Sequence, residues 1–215
     1  MPEKKRRKKK AGTGQGSFPE EAVHTLTSLE QMKTISDPLR IRLLESFMLE
    51  RTTKQVADLL GERPTKLYHH VEALEKVGLI RLTRTRQNRG TVEKYYQAVA
   101  RSFRAAPRLF GSDKSGEKKQ AMRSMLTTIF DGTSSEMQRL LNTKCGPKDF
   151  KETGLLSYVE LRASDEKMRQ FREKLEKLIT QHGVSSKSAP AKDKRRYRLT
   201  IAFFPLDRFS DEPEE

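Results

Sequence analysis

Cysteine and long apolar runs are the two components that this sequence most clearly lacks. Cys145 is the single thiol among 215 residues, so no disulfide can form within the chain and a reducing cytoplasm is expected. No apolar run approaches the roughly 20 residues that a helix needs to cross a bilayer. The charged N-terminus has no apolar segment behind it and does not predict a secretory signal. We therefore predict a cytoplasmic protein with no membrane partner.

Residues that commonly build active sites and metal sites are also few. Among the four histidines, only His69 and His70 are close in sequence, and adjacent helical residues point about 100° apart, unlike a pair of metal ligands. Cys145 has no histidine near it in sequence, and the Gly146-Pro147 that follows is typical of a loop. Neither a phosphate-cradling glycine motif nor an HExxH motif is present. The sequence therefore predicts no catalytic residues, no metal site, no cofactor and no enzyme.

Positive charge is what the chain has in abundance. Lysine and arginine number 44 against 29 acidic residues, which gives a net charge of +15 and a pI of about 10.0. Residues 4–10 are an unbroken run of seven basic residues, and residues 51–108 hold 13 basic and 5 acidic residues. A balance of this sign and size indicates a polyanion as partner. The hydrophobic content of 34% is low for a globular chain and predicts that part of it is unpacked.

The strongest local pattern lies in residues 37–96, which read as three helices followed by a two-stranded hairpin. Asp37 and Pro38 are an N-cap and a first helical residue. Thr52 and Gln55 form a capping box, which predicts the start of the second helix. The expected hairpin strands lie at 79–82 and 92–96, with the tip at 88–90 between them.

The second and third helices are separated by a tight turn. Gly61 is a natural helix stop, and Pro64 suits the first position of the third helix, which Gly78 ends. Apolar residues recur at helical spacing along one side of this third helix: Leu67, Val71, Leu74 and Val77. Two short helices joined by a tight turn predict a helix-turn-helix unit, whose second helix enters the DNA major groove.

Two sets of residues are candidates for contacting DNA. Four at the N-terminal end of the third helix carry groups suited to base edges and phosphates: Thr65, Lys66, Tyr68 and His69. Five basic residues in the turn and the hairpin are expected to contact the DNA backbone or the minor groove: Arg63, Arg84, Arg86, Arg89 and Lys94. His70 is predicted to lie nearer the core.

An ordered series of motifs extends this pattern. DPLR-x-x-LL begins at residue 37, T-x-x-x-VADLLG at residue 52 and LYHHVEALEKVGLI at residue 67, and the hairpin ends in KYYQ. Over residues 26–103 the chain resembles the ArsR-type winged-helix family of bacterial and archaeal transcription regulators. The resemblance implies a homodimer that binds a partly palindromic operator in double-stranded DNA, often as a repressor. It also implies a prokaryotic protein that is nucleoid-associated when bound.

The sequence departs from that family at two places. Metal-sensing members carry a cysteine-rich motif where this chain has no thiol, at residues 54–60, so that metal site is not expected here. Members usually have serine before the proline of the third helix, whereas this chain has Arg63. Arginine is a poor N-cap, but it is a good phosphate ligand.

The expected fold class is mainly α with a small β component, a winged helix-turn-helix domain followed by a helical or α+β C-terminal domain. The C-terminal domain is interpreted as a dimerisation domain and as the possible site of an unknown small-molecule effector. The predicted segments are a disordered basic arm at 1–18, the DNA-binding domain at 19–103, a linker at 104–116, the C-terminal domain at 117–210 and an acidic tail at 211–215.

The arm at 1–18 has several interpretations. It adds non-specific DNA affinity, or it is a solubilising tail, a misplaced start, or a nuclear localisation signal. We favour the first because its charge has the right sign for a DNA-binding protein, and the prokaryotic resemblance argues against the last.

Further elements are predicted around the DNA-binding domain. Residues 22–35 read as a helix that packs in the core or contributes to the dimer contact. Residues 122–130 read as an amphipathic helix, broken at Asp131-Gly132 and restarted by a capping box at Thr133 and Glu136. A strand at 155–161, a helix from Ser164 to Gly183 and a strand at 197–203 suggest a small α/β element with parallel strands.

Two functions compete on this basis. The first is a sequence-specific DNA-binding transcription regulator. The second is a non-specific basic protein, associated with the nucleoid or with RNA. Binding by the second kind falls steeply with salt and ignores sequence, whereas a regulator prefers its own site by about a thousandfold or more.

Overall fold

The computed structural model describes residues 21–88, 90–110, 116–142, 154–183 and 197–206. The predicted arm, the acidic tail, Arg89 and Cys145 lie outside these ranges. The strands within them are β1 (Glu21–Leu26), β2 (Arg51–Thr52), β3 (Ile80–Asn88), β4 (Thr91–Ala98) and β5 (Ala100–Ala105). The helices are α1 (Leu29–Ile35), α2 (Pro38–Ser46), α3 (Thr53–Leu60), α4 (Pro64–Lys76), α5 (Glu117–Leu141) and α6 (Asp165–Gly183), with a 3-10 turn at Pro107–Leu109.

Helices α2, α3 and α4 begin and end where their capping residues predict. The side chain of Asp37 accepts hydrogen bonds from the first backbone N–H groups of α2. Both bonds of the capping box between Thr52 and Gln55 are formed at the start of α3. Gly61 ends α3 with φ of 67°, a left-handed conformation that glycine adopts without steric cost. The three predicted helices and the hairpin β3–β4 are thus confirmed.

One apolar core joins the helices to the sheet. Strands β2, β4 and β3 form an antiparallel sheet in that order, and its inner face lies on the helices. The largest fully buried side chains come from every part of this unit: Met32, Leu43, Phe47, Val56, Leu67, Leu74, Leu79 and Ile80. The core therefore extends from α1 to the sheet and positions α4 against both.

The predicted helix at residues 22–35 is wrong in its first part. Residues 21–26 form β1, which pairs in parallel with β5, and α1 begins only at Leu29. Ser28 and Gln31 form a capping box at this start. The β1 conformation depends on a partner strand about 80 residues away, which no local pattern reveals.

The predicted linker at 104–116 also differs from the structure in its first part. Residues 104 and 105 belong to β5, and Ala106 and Leu109 are buried in the core. The backbone N–H of Ala106 donates to the carbonyl of Leu26 at 2.9 Å. The proline and glycine residues of this segment indicate a change of chain direction. The part of that change at residues 104–109 lies against the core.

Helix α5 runs without a break through Asp131 and Gly132, so the predicted interruption is wrong. The Thr133 hydroxyl donates to the Ile129 carbonyl one turn back instead of capping a new helix. Glycine inside a helix costs only about 1 kcal/mol. The packing of the first half of the helix, through buried Met125, is large enough to offset that cost.

The C-terminal α/β element is not formed as predicted. The helix after Ser164 is present as α6, but residues 154–164 and 197–206 are in neither strand nor helix. Their apolar, alternating composition fits strands, but strands need a neighbour to pair with. Within the described ranges, no helix is both long and apolar enough to cross a membrane.

The position of α5 leads to a stability prediction. Met125 is 7% exposed and belongs to the core beneath α1, whereas Leu141 at the far end of the same helix is 56% exposed. Met125→Ala should lower the free energy of unfolding by about 2 kcal/mol or more, because it leaves a cavity. Leu141→Ala, the matched control, should change it by less than about 0.5 kcal/mol. Urea denaturation of the full chain measures both, and equal effects would place α5 outside the core.

Candidate nucleic-acid interface

The orientation of α4 is set by the side it buries. Leu67, Val71 and Leu74 lie in the core, so the opposite side of the helix must face solvent. The four residues predicted to read bases are all exposed on the N-terminal half of that outer side: Thr65, Lys66, Tyr68 and His69. Tyr68 is 57% exposed, which is high for an aromatic residue without a partner surface. The structure therefore brings the predicted set together.

The outer side of α4 changes character along its length. After His69 the exposed residues of α4 are Glu72, Glu75 and Lys76, and the Lys76 ammonium is paired with the Glu30 carboxylate at 3.3 Å. The Tyr96 hydroxyl on β4 interacts with Glu72 and Glu75: burial raises its pKa first, and the charge and hydrogen bond of Glu75 and the charge of Glu72 raise it further. Carboxylates repel phosphate. A polyanion therefore interacts more favourably with the N-terminal half of α4 than with the half that carries Glu72 and Glu75.

The turn before α4 and the first turn of the helix each supply one basic side chain. Arg63 is exposed at the N-cap position and makes no capping hydrogen bond. The N-terminus of α4 is therefore without an internal side-chain acceptor, a setting that favours an external anion. The Lys66 ammonium pairs with the Glu62 carboxylate at 3.0 Å. Such an exposed pair is weak, so Lys66 is available to a competing phosphate or base.

A polar cluster beneath this end of α4 was not found from the sequence. His70 is 9% exposed, and its Nδ1 accepts a 3.4 Å hydrogen bond from Nε of Arg40 on α2. The Asp37 carboxylate lies 3.5 Å from the same nitrogen. The rings of His69 and His70 are in contact, with centroids 3.8 Å apart and planes tilted by 39°. The sequence indicated only that His70 lies nearer the core. It did not indicate Arg40 and Asp37 as partners, because they lie 30 and more residues earlier.

Burial lowers the pKa of His70 below its ordinary value. The Asp37 carboxylate acts in the opposite direction, and the neighbouring His69, Arg40 and Lys66 lower the pKa further. His70 is therefore neutral at neutral pH, which matches its role as acceptor from Arg40. In the described ranges no group of three or more acidic, histidine or cysteine residues is placed to hold a metal ion.

Arg84 on the hairpin is engaged within the protein. Its Nε donates to the Glu50 carboxylate at 2.8 Å, and its guanidinium lies 3.6 Å from the ring centroid of Tyr95. Burial raises the pKa of Glu50, but hydrogen bonds from Thr83 and Arg84 and the charge of Arg84 outweigh it, so that the pKa is lowered overall. Arg84 thus braces the base of the hairpin, a role that the sequence did not indicate.

A β-bulge decides which hairpin residues share a face. Leu82 pairs with Tyr96 but Arg84 pairs with Tyr95, so Thr83 is the extra residue. Beyond it Arg84 and Arg86 lie opposite Tyr95 and Glu93, while Lys94 pairs with Thr85 on the other face. That other face is continuous with Leu82 and Tyr96, which turn toward the helices. The predicted basic set on the hairpin is therefore divided between two faces.

Residues 35–83 match the family model of a helix-turn-helix domain. The match covers α2, α3 and α4 and the first residues of β3. A search of curated proteins found no match. The helix-turn-helix domain supports DNA binding, and with it a part in transcription regulation.

Within the helix-turn-helix domain, His70 predicts a dependence of stability on pH. Its pKa is lower in the folded state than in the unfolded state, so the unfolded state binds more protons below about pH 6.5. The free energy of unfolding should therefore fall as the pH drops from 7.5 to 5.5. His70→Asn, which keeps an acceptor for Arg40 and cannot be protonated in this range, should flatten that dependence. His182→Asn, a change at an exposed residue of α6, should leave it intact, and chemical denaturation at each pH measures all three proteins.

Arg84 and Arg86 offer a second comparison, because they share a face of the hairpin and carry the same charge. Arg84→Ala removes the contacts with Glu50 and Tyr95 and should lower the melting temperature. Arg86 has no ion pair with any residue in the described ranges, so Arg86→Ala should leave the melting temperature nearly unchanged. Thermal melts followed by circular dichroism decide the matter. Equal melting temperatures would show that the brace at Glu50 contributes nothing.

Proposed function

We propose that this protein is a sequence-specific transcription regulator that binds double-stranded DNA as a homodimer through a winged helix, acting as a repressor. The hairpin β3–β4 is the wing of this arrangement. One observation carries the proposal. The core holds α4 by its apolar side, so that Thr65, Lys66, Tyr68 and His69 are presented together at its N-terminal end. That end is the part of a helix-turn-helix that contacts base edges.

The side chains of this group have chemistry suited to base edges. The ammonium of Lys66 is a donor for guanine O6 and N7, the hydroxyl of Thr65 and the imidazole of His69 bond to either kind of group, and the Tyr68 ring offers an apolar surface for a thymine methyl. The contact of the His69 ring with the tilted His70 ring limits the orientations of the His69 imidazole. A donor held in one orientation loses less entropy when it binds.

Other basic residues are assigned to the backbone. Arg63 lies at the N-terminus of α4, and Arg86 and Lys94 lie on the wing, where phosphates flank the groove that α4 enters. Arg84 and Arg89 belong to the same proposed set, although Arg84 is already held by Glu50. Two copies would place two such helices in successive major grooves about one helical turn apart. Repression then follows from occupation of the operator.

The C-terminal half is proposed to join the two copies and to be where a small-molecule effector would act. Helix α5 shares the core of the DNA-binding domain through Ala121 and Met125. The Thr128 hydroxyl of α5 donates to the carbonyl of Ser36, next to the N-cap of α2, at 2.7 Å. A shift of α5 caused by a ligand would therefore be transmitted directly to the helices that hold α4.

Selection of bound fragments from random DNA tests the proposal. The purified full chain would be used at about 150 mM salt, where weak phosphate contacts are screened. We expect enrichment of an inverted repeat whose half-sites are separated by about one helical turn. Recovery of DNA without a shared sequence would overturn the proposal and favour the non-specific nucleoid or RNA-binding alternative.

Substitutions separate base reading from backbone contact. Lys66→Ala and His69→Ala should each lower the preference for the selected site over random DNA by about 1–3 kcal/mol. Arg86→Ala should weaken binding to both DNAs equally and reduce the salt dependence. Lys167→Ala, which removes the same charge from exposed α6, is the control and should change neither. Fluorescence anisotropy titrations measure all four, and an equal loss on both DNAs for Lys66→Ala and His69→Ala would show that these residues do not read bases.

A further inference from the structure

The segment at 197–206 lies on α5 with its polar side chains inward. Nη2 of Arg198 reaches Oε2 of Glu136 on α5 at 2.8 Å and Oε1 of Glu45 on α2 at 2.6 Å. The Thr200 hydroxyl lies 2.9 Å from that of Thr133, one turn before Glu136. Arg198 and Thr200, which are separated by one residue, thus contact the same helix. The side chains of the alternate residues Tyr197, Leu199 and Ile201 point away from it.

Those intervening side chains are apolar and face solvent. Leu199 is 70% exposed and Tyr197 is 69% exposed, and Ile201 and Phe203 continue the row. Phe203 has one aromatic neighbour, Phe171 of α6, at a centroid distance of 5.6 Å. An isolated exposed leucine is ordinary, but a row fixed outward by ion pairs on its other side is an interaction surface.

The segment at 154–161 has the same character. Leu155, Leu156 and Tyr158 are 76–99% exposed. Within the described ranges, the backbone N–H and carbonyl groups of residues 154–161 and 197–206 form no hydrogen bonds. Each segment therefore offers both an apolar row and free main-chain groups, which is what strand addition requires.

The exposed area matches the size of an interface between two copies. Eleven large apolar side chains in these two segments are 41–99% exposed. At about 150–250 Å² for an aromatic side chain, their exposed surface is on the order of 1,000 Å². One partner of a standard interface contributes about 800 Å². The surface is therefore large enough for a stable partner.

We propose that residues 197–203 of one copy pair with residues 155–161 of a second copy of this chain, so that a strand-exchanged sheet joins the two protomers. Both halves of the strand pair are present in each chain, so a two-fold arrangement forms the contact twice and leaves neither segment uncovered. Arg198 then links this sheet to α2 through Glu45 and so sets the distance between the two DNA-binding domains. This inference rests on the homodimer proposed above and names the surface that forms it.

Crosslinking tests the exchange. In a Cys145→Ser background, a chain carrying Leu199→Cys and a differently tagged chain carrying Val159→Cys are co-expressed and treated with a short bismaleimide. We expect a covalent species that contains both tags. Thr200→Cys in place of Leu199→Cys is the matched control, because Thr200 faces α5, and it should crosslink at least tenfold less. A chain carrying both Leu199→Cys and Val159→Cys that crosslinks only within itself would overturn the proposal.

Sedimentation of a second variant gives an independent measurement. Leu199→Glu/Ile201→Glu should raise the dissociation constant of the dimer at least a hundredfold. Phe110→Glu changes an apolar residue that is 64% exposed and lies outside these segments, and should leave the dimer intact. A wild-type monomer at micromolar concentration, or a dimer that tolerates the double substitution, would overturn the inference. Binding of the full-length chain to DNA that carries a single half-site is measured separately. Failure to bind any DNA would count against the proposed function alone.

Discussion

The burial of one side of α4 is the constraint on which the rest of the structure depends. Leu67, Val71 and Leu74 can enter the core in only one rotation of the helix, and that rotation decides which residues face outward. Two polar contacts hold the helix as well. Arg40 holds His70 at the middle of α4, and the Gln31 side chain donates to the carbonyl of Val77 just beyond the end. A helix held at three places would meet a partner as a rigid body, so little ordering entropy would be lost on binding.

The same core includes residues on both sides of the helix-turn-helix. Strand β1 comes before the helix-turn-helix and β5 comes after the hairpin, yet they pair with each other, and α5 then packs against α1. Lys33 on α1 and Glu117 on α5 add an ion pair at 2.9 Å to this contact. The DNA-binding unit is therefore wrapped by its own flanking segments. Within the described ranges, α5 reaches this unit through the packed side chains of Ala121 and Met125.

The sequence predicted best those features whose causes are local. Caps at Asp37 and Thr52, the stop at Gly61 and the apolar spacing of α4 act within one or two helical turns. The helices and the exposed residues at the N-terminal end of α4 therefore followed from them. It failed where the cause is distant. Strand β1 needs β5, and the inward position of Ala106 needs Leu26. Arg84 was predicted to contact DNA because no residue near it in sequence indicates that Glu50 is its partner. Helix α5 passes through Gly132 because packing outweighs a weak local preference.

The bulge at Thr83 has a consequence for how such a hairpin can change. Because one extra residue shifts the alternation of β3, every side chain beyond it is on the opposite face from the one that strict alternation would give. Loss of a single residue between Leu82 and Arg84 would carry Arg84 and Arg86 across the sheet without altering either of them. Insertion and deletion, more than substitution, are then the changes through which a lineage of such proteins could move the positive charge of this hairpin from one face of the sheet to the other.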